Sequence, residues 1–378
     1  MTTPPVDPTA AAPDRASGST PAAADTPMLE VTDLKTYFDT ARGVVRAVDG
    51  VSFRLDRGKT LGVVGESGSG KTVLSRSIMG LLPKRGTIRE GSVRFDGTEI
   101  GDLTAKDMRQ YWGAQLSMIF QDPMTSLNPV MKIGNQITES IRQHLDVDKK
   151  YAKELAENLL RSVRIPEPER RMKEYPHQLS GGMRQRVCIA VALACGPTLL
   201  FADEPTTALD VTVQAQVLDL MAQQQRERFM AVVLITHDLG VVAGRADEIA
   251  VMYAGRIVEK APTTVLFSDM RMPYTEALLS SIPKLEQPSH TRLATIPGRP
   301  PNLTNPPPGC KFAPRCGYVQ PKCLEEEPPL LPGPQPGHEF RCWFPVGTAE
   351  GAEALARNRA AAVATTAAVT TAAIGGNS

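Results

Sequence analysis

The chain has 378 residues, 42% of them apolar, enough to bury a substantial core and to divide into more than one domain. Its 42 lysines and arginines balance 41 aspartates and glutamates, so no broad cationic field collects nucleic acid or acidic lipid. No strongly apolar run reaches the roughly 18 residues of a membrane-spanning helix, so a membrane role has to work through a partner.

In chain order, residues 1–27 are rich in Pro, Ala, Thr and Ser and lack the basic start and apolar core of a secretory signal. They read as a disordered tail on a chain that stays in the cytosol. Apolar runs then follow at "TLGVVG" (60–65), "QLSMIF" (115–120), "TLLFAD" (198–203) and "AVVLIT" (231–236), alternating with helical patterns. That rhythm predicts an α/β core over 28–273 built on a parallel sheet. After Gln121 the strands stop, and "IGNQITESIRQHL" and "KKYAKELAENLLRSV" carry apolar residues at helical spacing, which predicts an inserted helical subdomain over about 122–195. From 274 to 346 proline is dense and regular elements should be short. Residues 347–378, rich in Ala and Thr, read as a second disordered tail.

"GESGSGKT" follows one of these strands and precedes a helical pattern, the context that a phosphate-binding loop requires. The backbone of Gly65, Glu66, Ser67, Gly68, Ser69 and Gly70 can close around phosphates at a helix N-terminus. Lys71 can reach the β and γ phosphates, and the Thr72 hydroxyl suits Mg²⁺. Downstream, "TLLFADEP" ends a strand in two carboxylates at the sheet edge where ligands bind. Asp203 suits Mg²⁺ held through water, and Glu204 suits a general base or water-positioning group.

Between these motifs, "LSGGMRQR" (179–186) resembles the signature of ATP-binding cassette (ABC) ATPases, with Ser180, Gly181 and Gly182 opening a helix toward a γ-phosphate. Other stretches resemble the remaining cassette motifs in order: Gln121 in "IFQDP" the Q-loop, Asp210 ending "TTALD" the D-loop, and His237 in "LITHD" the switch histidine. Phe38 in "LKTYFDT" fits the aromatic that stacks on adenine better than Tyr37 does. The resemblance implies a P-loop ATPase with ATP and Mg²⁺ as cofactors, Gln121 joining Thr72 and Asp203 around the ion. It also implies pairing with a second cassette, identical or homologous, whose ATP is served by Ser180, Gly181, Gly182 and Asp210.

"MIFQDPMTSLNPVMKIGNQITE", "YPHQLSGGMRQRV" and the ending from "TIPGRPPNL" to "RCWFP" further resemble ATPase subunits of oligopeptide and dipeptide importers. That implies a peripheral subunit at the cytoplasmic face of the plasma membrane, two permease partners, an extracytoplasmic substrate-binding protein and no nucleic acid. The same group includes importers of nickel, glutathione and oligosaccharides. A soluble regulatory ATPase is the competing class.

Cys310, Cys316, Cys323 and Cys342 are separated by five, six and eighteen residues in the Pro-rich ending. A reducing cytosol disfavours disulfides. Spacing leaves open a zinc site, an iron–sulfur cluster or four packed thiols. The family resemblance implies a [4Fe–4S] cluster, making the ending a metal-binding extension. Cys188 and Cys195 lie in an apolar helical stretch and read as core. His338 reads as a surface residue.

Overall fold

The computed structural model describes residues 26–206, 209–282 and 295–374. Its twelve strands are β1 (Leu29–Thr40), β2 (Gly43–Leu55), β3 (Thr60–Val64), β4 (Thr87–Phe95), β5 (Thr98–Glu99), β6 (Leu116–Ile119), β7 (Leu199–Asp203), β8 (Ala231–Thr236), β9 (Glu248–Tyr253), β10 (Arg256–Pro262), β11 (Leu331–Pro332) and β12 (Glu339–Phe340). They form two sheets. An antiparallel sheet has the order β2-β1-β4-β5, and the larger one has the order β11-β12-β10-β9-β3-β8-β7-β6. In the larger sheet the run from β9 to β6 is parallel, as the apolar runs predict, and β10, β12 and β11 add antiparallel at one edge.

All residues of β3, β7 and β8 are buried, because both faces of the parallel sheet are covered. Side chains alternate between two cores. Leu61, Val63, Phe201 and Val233 pack toward the antiparallel sheet, while Val64, Leu200, Ala202 and Leu234 pack toward the helices. The antiparallel sheet is absent from the reading of the sequence. Its strands mix exposed charged residues with buried ones, as at β4, and the pattern carries little apolar signal.

Between β6 and β7 the chain is helical. Ile133–His144 puts Ile133, Ile137 and Ile141, each 0% exposed, on one stripe at a spacing of four. Each such burial is worth about 2 kcal/mol. Asp148 accepts from the Tyr151 amide and so starts the helix Lys149–Ser162. Cys188 and Cys195 are buried in the core on this side of the sheet, as read.

The Pro-rich ending is tied to the core. β12 pairs with β10, joining Phe340 to Glu259, and Arg341 N donates to Val258 O. This docking corrects the reading of His338: its side chain is fully buried, and Nε2 lies 2.8 Å from Glu259 Oε1. Sequence gave no sign that residue 338 abuts a strand of the core sheet. The C-terminal tail is a second correction, since Ala349–Ile374 forms a helix. Alanine is the best helix former, and Asn358 Nδ2 fixes the helix by donating to Gly317 O and Val319 O. The expected N-terminal tail lies almost wholly outside the described residues.

A buried ion pair fastens the ending to β2. Lys311 Nζ donates to Asp49 Oδ2 at 2.8 Å, both side chains being under 10% exposed. Tyr37 OH donates to Asp49 Oδ1 and Arg256 Nε to Oδ2. Burial alone would push the Asp49 carboxyl up, but Lys311, Tyr37 and Arg256 outweigh it and hold it well below the usual carboxylate range. Breaking a buried pair costs roughly 3–5 kcal/mol. Lys311→Met is therefore expected to lower unfolding free energy in urea by about that amount at neutral pH. Because the Asp49 carboxyl is depressed in the fold, its contribution is present above the ordinary carboxylate value and is lost on acidification. The stability of Lys311→Met should accordingly fall less steeply with acid than that of the unaltered chain.

Candidate functional site

The strand β3 ends at Val64, and the loop Gly65–Gly70 leads into the helix Lys71–Ile78. Gly70, the N-cap, has φ of 105°, and a Cβ there would lie 2.2 Å from Ala47 O. A Cβ at Gly65 would lie 2.2 Å from Met252 O. Glycine is required at both places so that the backbone amides can turn inward. Lys71, 5% exposed, donates through Nζ to Gly65 O and Glu66 O, and burial pushes its amine down from its ordinary value. Ser67 and Gly68 are exposed at the tip, while Ser69 is buried and its Oγ has no hydrogen-bond partner.

Across the loop, Thr72 Oγ1 donates to Asp203 Oδ1 at 3.1 Å. Asp203 is fully buried at the end of β7, and burial raises its carboxyl. Its Oδ2 has no hydrogen-bond partner. A buried carboxylate oxygen without a partner, beside a hydroxyl, is a donor set that fits Mg²⁺. The next residue, Glu204, has a left-handed φ of 46°, fixed by its amide donating to Ile235 O. Such strain in a non-glycine residue collects at functional sites. Gln121 Nε2 donates to Glu204 Oε2 at 3.0 Å, and His237 Nδ1 lies 3.4 Å from the same oxygen. Three residues picked from distant stretches of sequence thus meet at one atom.

The other predicted residues sit on separate elements. Ser180 caps the helix Gly181–Ala192 by accepting from the Met183 amide, and there is open space where a Gly181 Cβ would be. Asp210 caps the helix Val211–Arg228 through the Val213 amide. Phe38 is half-buried on β1 opposite Val45, whereas Tyr37 is engaged with Asp49.

Cys310, Cys316, Cys323 and Cys342 line one small pocket with Phe312, Trp343 and Phe344 as apolar walls, and none is in a disulfide. Burial pushes the thiols of Cys310 and Cys316 up to about 11 and about 12, and that of Cys342 up as well. Among the described residues no three His, Cys, Asp or Glu side chains form a group close enough to hold a metal ion. The four thiols share a pocket without forming a metal site, so the metal-binding character expected of this extension is not supported by the described residues.

Sequence reasoning missed Arg315. Its guanidinium donates from Nη1 and Nη2 to Glu66 Oε2 and Oε1 at 2.6 and 2.9 Å, joining the cysteine segment to the phosphate loop. Tyr274, which accepts from the Glu66 amide at 2.9 Å, was missed as well. Among the described residues no helix is long and apolar enough to cross a membrane.

Comparison with known proteins agrees with this geometry. The ABC transporter family matches residues 48–207, and the oligopeptide/dipeptide transporter C-terminal region matches residues 258–323. The oligopeptide transport ATP-binding protein OppD of Bacillus subtilis is 53% identical over 307 residues, covering 81% of this chain and 86% of its own length. AppD of the same organism, likewise an oligopeptide transport ATP-binding protein, is 49% identical over 318 residues, covering 84% and 96%. Among solved structures, the dimeric bacterial ABC transporter cassette MJ0796 aligns with a TM-score of 0.56 at 25% identity, covering 62% of this chain and 99% of that one.

Lys71→Ala is expected to weaken ATP binding at least about tenfold, since a buried ammonium that turned from the Gly65 and Glu66 carbonyls to phosphate oxygens would make charge-assisted bonds. Equilibrium titration with a fluorescent ATP analogue measures this, and unchanged affinity would contradict the phosphate-loop assignment.

Proposed function

The chain belongs to the ABC transporter ATPases that carry the oligopeptide/dipeptide transporter C-terminal region, and from that membership we propose that it hydrolyses ATP to energise import of peptides across the plasma membrane. The observation that carries this reading is the meeting of Gln121 and His237 at one carboxylate oxygen of Glu204, one residue from Asp203 and across from the phosphate loop.

In this reading the loop amides and Lys71 hold the β and γ phosphates, and Phe38 stacks on the adenine. Glu204 accepts the proton of the attacking water at its carboxylate, while Gln121 and His237 orient that carboxylate and the water. Thr72, Gln121 and, through water, Asp203 would hold Mg²⁺, which neutralises phosphate charge when bound. Ser180, Gly181, Gly182 and Asp210 serve ATP held mainly by a second cassette, a related or identical chain. That explains why they stand on capped helix starts apart from the phosphate loop. The helical subdomain at about 122–195 passes closure on to two permease subunits, and an extracytoplasmic binding protein delivers the cargo. The chain then works at the cytoplasmic face, peripheral to the membrane.

The four cysteines match a [4Fe–4S] cluster in donor type and number and line one pocket with aromatic walls, and they would have to draw closer to ligate it. Cys310, Cys316, Cys323 and Cys342 would hold it, and it would supply a rigid cross-link for a segment with little core of its own. Zinc is the alternative for the same donors.

Glu204→Gln in the transporter assembled with its permeases is expected to cut ATP turnover about 10²–10³-fold, the range of a lost general base, while ATP affinity stays within about twofold. Turnover near that of the unaltered chain would reject Glu204 as the base. Anaerobic purification followed by metal and sulfide analysis is expected to give about four iron and four acid-labile sulfide per chain. One zinc without sulfide would replace the cluster with a mononuclear site.

A further inference from the structure

The short turn Ala313–Arg315 is bracketed by Cys310 and Cys316 and reaches the phosphate loop by two routes. The direct one is the two-bond fork from Arg315 to the Glu66 carboxylate, with the Arg315 side chain 3% exposed. Arg315 is held in place by donating from Nε to Pro297 O and by lying over the rings of Tyr253 and Phe312. The second route starts at Lys311, whose Nζ donates to Ala254 O as well as to Asp49. The next residue, Gly255, donates its amide to Ser69 O within the loop.

Glu66 puts a carboxylate among groups that would bind a polyphosphate. Left uncompensated, that charge would oppose the like charge of a polyphosphate. A fork-to-fork guanidinium both neutralises the charge and fixes the loop in one position. We propose that Arg315 is a positioning residue for the phosphate loop, so that the turn between Cys310 and Cys316 sets how tightly this chain holds ATP.

The proposal rests on the ATP-binding reading above and makes a separate claim. An apparent affinity falls by the fraction of time the binding-competent loop is populated, so releasing the loop acts on ATP binding and leaves the hydrolysis step intact. A tether that merely stabilised the fold would not depend on the charge of Glu66.

The test is equilibrium binding of a fluorescent ATP analogue to the full chain, with turnover in the assembled transporter as a second readout. Arg315→Gln is expected to raise the ATP Kd and KM by roughly tenfold, within the usual range of coupling between linked sites, with kcat at saturating ATP changed less than about twofold. Adding Glu66→Gln removes the uncompensated charge but does not restore the fork, so it should recover only part of that loss. Arg315→Lys, which keeps the charge but not the fork, should lose only about two- to fourfold, and it carries the test if Arg315→Gln fails to fold. Cys316→Ser should weaken ATP binding in the unaltered chain and add nothing in the Arg315→Gln background. Unchanged ATP affinity in folded Arg315→Gln and Arg315→Lys would overturn the proposal, as would a double variant binding more weakly than Arg315→Gln alone. Equal losses from Cys316→Ser in both backgrounds would overturn the part assigned to the cysteine turn. If Lys71→Ala also leaves affinity unchanged, the ATP-binding reading itself fails; if only the Arg315 variants do, the positioning role alone is lost.

Discussion

The phosphate loop is held by backbone contacts too close for side chains. Gly65 lies against Met252 O and Gly70 against Ala47 O, and a Cβ at either would come within 2.2 Å of a carbonyl oxygen. Those carbonyls belong to β9 and β2, from the two different sheets. Both sheets must therefore be in place before the loop can take its shape, and the positions of Lys71 and Thr72, which open the next helix, follow from it. The two hydrophobic cores on either face of the parallel sheet supply the rigidity that such close approach needs.

The geometry around Glu204 depends on the same sheet. β7 and β8 are adjacent and in register, so Glu204, just past β7, can donate its amide to Ile235 near the end of β8 and take its left-handed turn. His237, just past β8, and Gln121, just past β6, then lie at the same edge of the sheet. Parallel strands end their C-terminal residues together, which is why ligand sites gather there. The C-terminal segment reaches that edge from the side, through Arg315 at Glu66 and Tyr274 at the Glu66 amide.

Much of this was legible in the sequence because it is local. The four apolar runs became β3, β6, β7 and β8, and the residues of Gly65–Thr72 are contiguous, so strand, loop and helix could be read as one unit. The convergence of Gln121, Glu204 and His237 was reachable only through a family resemblance, since 83 residues separate the first pair. Arg315 and Glu66 are 249 residues apart, and an Arg between two cysteines carries no pattern of its own. The burial of His338 was hidden for a related reason: β12 is two residues long and gains meaning only by pairing with β10. The C-terminal helix carries no apolar periodicity that would signal it in the sequence; alanine's helix propensity and the Asn358 contacts order its start.

The central claim is that ATP hydrolysis on this chain is coupled to peptide import. ATP turnover by the chain assembled with two permease subunits and a second cassette in lipid vesicles tests it most directly, with a peptide-loaded binding protein added or withheld. The account predicts turnover that rises several-fold with the loaded binding protein and that is low for the chain alone. Equal turnover in all three conditions would contradict it and point to an ATPase that works apart from transport.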